Sequence, residues 1–172
     1  MRDRYPRHQP WLCALLLAVG LSGPAHAAPW FIECSVDAIG PAFGLYDTSA
    51  PQPLTTAGSV TVRCWDTSFL SLVTAYVPYS VTLSAGTSGN QLTRTMRSGA
   101  SSLHYNLYTD AQHSRIWGNG LGGTQKVFGS FTFLPLLHQI HERTHSVHAK
   151  LPAGQDVPPG EYVDTIVVTV EF

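Results

Sequence analysis

The chain has 172 residues, of which 44% are hydrophobic and only 12% carry a charge, and its formal net charge is −1. Beyond residue 27, 7 basic side chains stand against 10 acidic ones. This weakly acidic balance argues against a nucleic acid or an anionic membrane surface as partner. Residues 28–172 are long enough for one domain with a sizeable core.

The N-terminus has the pattern of an export signal. Three arginines within the first seven residues precede a short apolar run, "WLCALLLAVGL" (11–21), and "AHA" (25–27) fits a small-residue cleavage site. The run is too short for a membrane-spanning helix, and no second apolar run of that length follows. We therefore predict that residues 1–27 are a removed signal peptide and that the mature chain, 28–172, has no transmembrane segment.

Two cysteines remain after this cleavage, Cys34 and Cys64, because Cys13 leaves with the signal peptide. An even pair in an oxidising compartment predicts a structural disulfide. It would close a loop of about 31 residues and contribute roughly 3–4 kcal/mol in the chain-entropy description. The alternative is a redox or metal pair, but the sequence has no C-x-x-C spacing to support it.

Short segments in which apolar and polar residues alternate recur along the mature chain, as in half-buried strands. They are "SVTVRCW" (59–65), "YSVTLSAG" (79–86), "LHYNLYTD" (103–110), "KVFGSFTF" (126–133), "THSVHAKL" (144–151) and the C-terminal segment (162–172). Turn-forming clusters separate them at 49–53, 87–90, 118–123 and 152–161. This spacing predicts a single antiparallel β-sandwich domain.

A histidine-rich stretch, "HQIHERTHSVHAK" (138–150), precedes the last turn cluster. On a helix, His138, His141, His145 and His148 would share one face and form a candidate metal site. We predict a strand here instead, on which His145 and His148 point in opposite directions, so no metal site is expected.

No motif of a known catalytic site is present. The sequence lacks a G-x-S-x-G elbow, an H-E-x-x-H motif and a glycine-rich loop between strand and helix. We therefore expect neither an enzyme nor a cofactor.

The C-terminal segment alternates strictly and contains neither lysine nor proline to protect an edge. Such a strand, left at the border of a sheet, is a template for pairing with another chain. Its expected inward face carries one polar residue among apolar ones and consists of Tyr162, Asp164, Ile166, Val168, Val170 and Phe172.

Two long segments carry a family resemblance. "LHYNLYTDAQHSRIWGNG" (103–120) and "LPAGQDVPPGEYVDTIVVTVEF" (151–172) resemble the spore coat U domain, the subunit family of archaic, Csu-type chaperone–usher pili. The stretch "ECSVDAIGPAFGLYD" (33–47), the second cysteine in "VTVRCW", and "RTM" (94–96) fit in the same order. The similarity covers nearly all of the mature chain.

The resemblance implies an incomplete immunoglobulin-like sandwich, like that of a pilin, which lacks its last strand. The C-terminal strand then borders an unfilled groove. A periplasmic chaperone fills the groove with a strand of its own, an outer-membrane usher exports the subunit, and a neighbouring pilus subunit supplies the final strand. Physically, this is strand addition to an open sheet edge.

Two stretches are longer and more apolar than the family pattern, 67–79 and 128–142. They predict either exposed adhesive loops or additional core at the ends of the sandwich. The side chains in question are Phe69, Leu70, Leu72, Phe131, Phe133, Leu134, Leu136 and Leu137.

The segment before Cys34, "APWFIE" (28–33), is short for a donor strand, which needs roughly 10 residues at about 3.3 Å each. Pro29 interrupts it, and earlier cleavage near Gly20 would leave a longer segment from which Pro24 and Pro29 remove two backbone donors. We therefore expect a subunit that accepts a strand but gives none, and that lies at the tip of its fibre.

The leading hypothesis is an exported structural or adhesive pilus subunit, which passes through the periplasm to the cell surface. A secreted coat or matrix protein of the same fold is the alternative. A periplasmic binder of metal or a small ligand, built on the histidine-rich stretch, is a more distant one.

Overall fold

A computed structural model describes residues 31–68 and 72–172. The chain forms β1 (Ile32–Ile39), β2 (Leu54–Asp66), β3 (Ala75–Leu83), β4 (Arg94–Ser98), β5 (Ser101–Tyr108), β6 (Val127–Phe133), β7 (Ile140–Leu151) and β8 (Val168–Glu171). A short 3₁₀ turn at Gly86–Ser88 follows β3. The predicted signal peptide, residues 1–27, lies outside the described residues.

Two antiparallel sheets form the fold. The larger has the strand order β1-β2-β7-β5-β4, and the smaller has the order β6-β3-β8. At the centre of the larger sheet, β2 pairs with β7 from Leu54↔Leu151 to Trp65↔Ile140. β1 and β4 are the edges of the larger sheet, and β6 and β8 are the edges of the smaller one.

Six of the eight strands follow the order of an immunoglobulin-like sandwich, and β4 and β6 are additional edge strands. β1-β2-β7-β5 follows the A-B-E-D order of such a domain, and the β3-β8 pair corresponds to its C and F strands. The last strand, G, would lie beside β8, but no strand among residues 31–68 and 72–172 occupies that place. The predicted all-β, incomplete immunoglobulin-like sandwich is confirmed.

The core lies between the two sheets and is filled by alternate residues of their strands, as the sequence pattern predicts. Trp117, which precedes β6, is fully buried and donates its indole N–H to the carbonyl of Val81 at 3.0 Å. The strand residues that form the core are Ile32 from β1, Val60, Val62 and Cys64 from β2, Ala75, Val77, Tyr79, Val81 and Leu83 from β3, Leu103, Tyr105 and Leu107 from β5, Phe131 and Phe133 from β6, and Val147, Ala149 and Leu151 from β7.

The prediction of one continuous C-terminal strand is wrong in extent. Only Val168–Glu171 is a strand, paired with β3 in the smaller sheet. Upstream, Val163 instead forms an isolated bridge with Arg97 of β4, in the larger sheet. The segment passes from one sheet to the other and therefore cannot remain paired with one neighbour along its length.

The described part of the chain contains no helix long and apolar enough to cross a membrane.

Candidate functional site: an open groove beside the last strand

An open groove of about 390 Å³ lies between the two edge segments of the sandwich. Its first wall is the end of β1 and the residues after it, 38–43, and its second wall is the C-terminal segment from Tyr162 to Val168. The residues between the walls are mostly apolar core side chains: Val60, Leu83, Met96, Leu107 and Val147.

The first wall depends on a glycine in β2. After Ile39 the chain crosses close over the backbone of Gly58, where an added Cβ would lie 2.2 Å from the carbonyl oxygen of Ile39 and 2.8 Å from the nitrogen of Pro41. The missing side chain therefore makes the crossing possible. Beyond it, Phe43 packs edge-on against the ring of Tyr105, with ring centroids 6.0 Å apart.

The second wall has the alternation that the sequence predicts. All six residues of the predicted inward face are partly buried, whereas the residues between them are exposed. Two backbone groups of Val167 are bound by Ser84, whose N–H donates to the Val167 carbonyl at 3.0 Å and whose hydroxyl accepts the Val167 N–H at 2.9 Å. These bonds fix the point at which the segment joins the smaller sheet.

Asp164 forms a polar corner of the groove. Its Oδ2 accepts a hydrogen bond from the Tyr105 hydroxyl at 2.7 Å, and its Oδ1 accepts the N–H groups of Thr87 and Thr165, both at 2.8 Å. An added Cβ on Gly86 would lie 2.2 Å from Oδ2, so the turn must pass without a side chain. Burial, and then the bond to Asp164, raise the pKa of Tyr105, which keeps its phenol protonated.

A fully buried arginine supports this end of the sandwich, and the sequence reasoning missed its role. Arg94 donates to the carbonyls of Ser84 at 2.8 Å and Trp117 at 2.7 Å, and to Oδ1 of Asn106 at 2.7 Å. Burial lowers the pKa of Arg94. The only sequence signal was its place in "RTM" (94–96), a stretch that fits the family pattern.

The family model described as the Spore Coat Protein U domain matches residues 26–169. The chain belongs to this family. A curated relative, Protein U of Myxococcus xanthus, is 32% identical over 137 residues, which cover 76% of this chain and 70% of the relative. The family predicted from the sequence is thus confirmed.

Two solved structures show a more distant similarity to this Spore Coat Protein U domain. One is the CsuC–CsuE complex, a chaperone–tip adhesion subunit pre-assembly complex from archaic chaperone–usher Csu pili of Acinetobacter baumannii, with 22% identity, a TM-score of 0.48 and coverage of 82% of this chain and 40% of that chain. The other is a chaperone–tip adhesin complex of CFA/I fimbriae biogenesis, with 13% identity, a TM-score of 0.40 and coverage of 80% and 42%. The chain thus spans less than half the length of either structure.

The two cysteines of the Spore Coat Protein U domain lie directly opposite each other on β1 and β2. Cys34 pairs with Cys64 in the strand register, and their sulfur atoms form a disulfide. The predicted bridge is therefore confirmed. It ties the edge strand β1, which leads into the first wall of the groove, to the centre of the larger sheet.

The four histidines of the 138–150 stretch do not meet. His141 and His145 lie on the inner face of β7, where His141 packs against the rings of Phe131 and Phe133, and His145 bonds to the Tyr79 hydroxyl at 2.9 Å. His148 lies on the opposite face of the strand, and His138 is exposed before the strand begins. Within residues 31–68 and 72–172, no three His, Cys, Asp or Glu side chains are grouped to hold a metal ion.

The proposed adhesive loops require one correction. Phe131 and Phe133 belong to β6 and are only 6% and 1% exposed, because their side chains point between the sheets. Phe69 and Leu70 lie outside the described residues. The remaining four leucines are exposed near the same end of the sandwich, at which β2 and β6 end: Leu72, Leu134, Leu136 and Leu137.

Proposed function

We propose that the chain is a structural and adhesive subunit of a surface pilus and is assembled by strand addition through the chaperone–usher route. The open groove, whose second wall runs from Tyr162 into β8 at Val168, carries the proposal. Its apolar floor and its edge strand suit an added β-strand, whose backbone would pair with β8 and whose alternate side chains would fill the space between the walls. No catalytic role is part of the proposal.

The partners follow from this assembly route. After export through the signal peptide at residues 1–27, a periplasmic chaperone fills the groove while the subunit moves to the outer-membrane usher. A neighbouring subunit then supplies the strand in the fibre. A groove that exposes apolar side chains favours aggregation when it is left open, so the isolated domain should be poorly stable.

The test is coexpression with a periplasmic chaperone of the chaperone–usher class. Wild-type protein should purify as a soluble one-to-one complex. Val168→Asp and Val170→Asp should each abolish the complex, because both side chains face the core beneath the added strand. Thr169→Asp is the matched control, since Thr169 lies between them on the exposed face and should leave the complex intact.

A domain that folds stably alone, with a cooperative thermal transition and no partner, would contradict the proposal. So would equal loss of the complex in Thr169→Asp, because the charge would then act through β8 in general and not through the groove.

We extend the proposal to the position of the subunit in the fibre, at the tip. Phe31, Ile32 and Glu33 already belong to β1 or its entry, and Pro29 interrupts the residues between the proposed cleavage site and β1. Proline lacks a backbone N–H, so this stretch is a poor donor strand. An epitope-tagged copy should be found at fibre ends by immunogold microscopy, and label along the shaft would refute the tip position.

The exposed leucines near the ends of β2 and β6 suit contact with apolar surfaces, which completes the adhesive part of the proposal. Replacing Leu134, Leu136 and Leu137 together by serine should reduce attachment of cells to plastic without changing the yield of chaperone complex. Unchanged attachment would remove adhesion from the proposal and leave the structural role.

A secreted coat or matrix protein of the same fold is the second candidate. The family description, which names a spore coat, favours it. Electron microscopy of cells that lack the gene distinguishes the two, because only the pilus subunit predicts the loss or shortening of surface fibres.

A further inference from the structure

The polar corner of the groove offers hydrogen-bond acceptors but no free side-chain donor. The Tyr105 hydroxyl donates its proton to Asp164, and the Tyr162 hydroxyl donates its proton to the carbonyl of Pro158 at 2.9 Å. Arg94 points its N–H groups at backbone carbonyls and at Asn106. Asp164, Tyr105 and Tyr162 all line the groove.

The carboxylate of Asp164 retains capacity to accept a further bond. A carboxylate has about four acceptor positions, and three are occupied, by Thr87, Thr165 and Tyr105. The free position is on Oδ2, the oxygen that Tyr105 contacts. In the described part of the chain, Asp164 takes part in neither of the two ion pairs, Arg63–Glu142 and Lys126–Glu171.

We propose that Asp164 and Tyr105 form a selective subsite of the groove, which takes a hydrogen-bond-donating side chain of the added strand, lysine or threonine, and rejects an acidic one. The inference rests on the proposed function, since it requires that the groove accept a strand. A donor side chain gives the half-buried carboxylate a charge-assisted bond, whereas glutamate places a second negative charge beside it.

Strand selection by the rest of the groove follows from its apolar lining, which favours valine or another aliphatic side chain at the other inward positions. The subsite therefore fixes the register of the added strand and also contributes to its affinity. A strand displaced by two residues keeps the same faces but moves its donor side chain away from Asp164.

Synthetic strands of about 12 residues that alternate valine and serine test the inference. Each inward valine is replaced in turn by lysine, threonine or glutamate, and binding is measured by competition with a fluorescent all-valine strand during refolding of the disulfide-bonded domain. At one inward position, lysine and threonine should bind about tenfold tighter than glutamate and at least as well as valine. At every other position, valine should bind best.

Asp164→Asn should reduce this preference to within about twofold, because the charge is lost while the side-chain shape is kept. Asp156→Asn is the matched control, since Asp156 is exposed in the preceding turn and should leave the preference unchanged. If Asp164→Asn does not fold, the binding of the set of synthetic strands to the wild-type domain is the test of the subsite. Valine best at every position overturns the subsite and leaves the proposed function standing, whereas failure of every strand to bind overturns the proposed function.

Discussion

β7 and the C-terminal segment have the same alternating pattern but differ in strand length, pairing and burial. β7 has 12 residues and pairs with β2 along its length, at the centre of the larger sheet. The C-terminal segment forms a strand of only 4 residues and ends at the open side of the sandwich. On β7, Val147 and Ala149 are 4% and 0% exposed, whereas the inward residues of the C-terminal segment remain partly exposed.

The difference shows that alternation determines which side chains face inward, while the neighbouring strands determine how deeply they are buried. Where the segment passes between the sheets, as at Asp164 and Val167, each sheet pairs with part of its backbone and neither sheet pairs with its whole length. The open side of the molecule is thus built from the same kind of sequence as its closed centre, but without the last strand.

The largest expected effect comes from a charged residue in the core, and it distinguishes β7 from the C-terminal segment. Val147→Asp places an unpaired carboxylate in the core, which costs several kcal/mol against a total stability of about 5–15 kcal/mol. We expect loss of folded protein with or without an added strand, as measured by circular dichroism. Val168→Asp should lose binding of a free strand, but in the domain fused through a flexible linker to an alternating apolar strand it should retain slow hydrogen exchange of the β7 amides, because Val168 is only partly buried. Retained folding in Val147→Asp would contradict the comparison.

Removal of the disulfide tests how firmly the first wall is held. We expect the double replacement Cys34→Ala and Cys64→Ala to lower the free energy of unfolding by about 3–4 kcal/mol, because β1 has only β2 as a neighbour in its sheet. The measurement is denaturant unfolding of the domain fused through a flexible linker to an alternating apolar strand, here called the strand-filled domain. A loss below about 1 kcal/mol would mean that strand pairing alone fixes β1.

A smaller effect is expected where the first wall crosses β2. Gly58→Ala should lower the unfolding free energy of the strand-filled domain by about 1–3 kcal/mol, because the new Cβ displaces the backbone at Ile39 and Pro41. It should also weaken binding of a free strand. Gly40→Ala is the control for stability, because an added Cβ there has no atom within 4 Å and should leave the unfolding free energy unchanged. Equal effects in the two variants would show that the crossing is not the cause.

The smallest expected effect is a dependence of stability on pH, which arises from His145 of β7. Burial, and then the charge of Arg143, lower the pKa of His145, so the folded state favours its neutral form. In the unfolded chain, histidine has a pKa of about 6.5. The stability that the neutral ring contributes is therefore complete above that pH and is lost as pH falls through the lower folded pKa, because the unfolded state then binds more protons.

We expect the unfolding free energy of the strand-filled domain to fall between about pH 7 and pH 5, and to fall less steeply in His145→Gln. His148→Gln, on the opposite face of β7, should retain the wild-type slope. Identical slopes for all three proteins would show that another group controls the pH dependence.

Much of the site could be predicted from particular residues. The alternation of Tyr162, Ile166, Val168, Val170 and Phe172 predicted their inward face, and the even pair of cysteines predicted the disulfide. Phe131 and Phe133 fell both in the predicted strand 126–133 and among the candidate loop residues of 128–142, because the apolar run through Leu137 hides the end of β6. Arg94 was missed because nothing local distinguishes a buried arginine from an exposed one.

The sequence by itself determined the family, through the motifs that resemble it, and the β-sandwich class and the side of each strand that faces the core, through composition and the two-residue repeat of a strand. The tertiary structure decided where the C-terminal segment changes sheets, how Gly58 lets the first wall cross β2, and how Asp164, Tyr105 and Arg94 meet at one corner. These contacts join residues far apart in the chain, and their geometry exists only after the sheets have packed together.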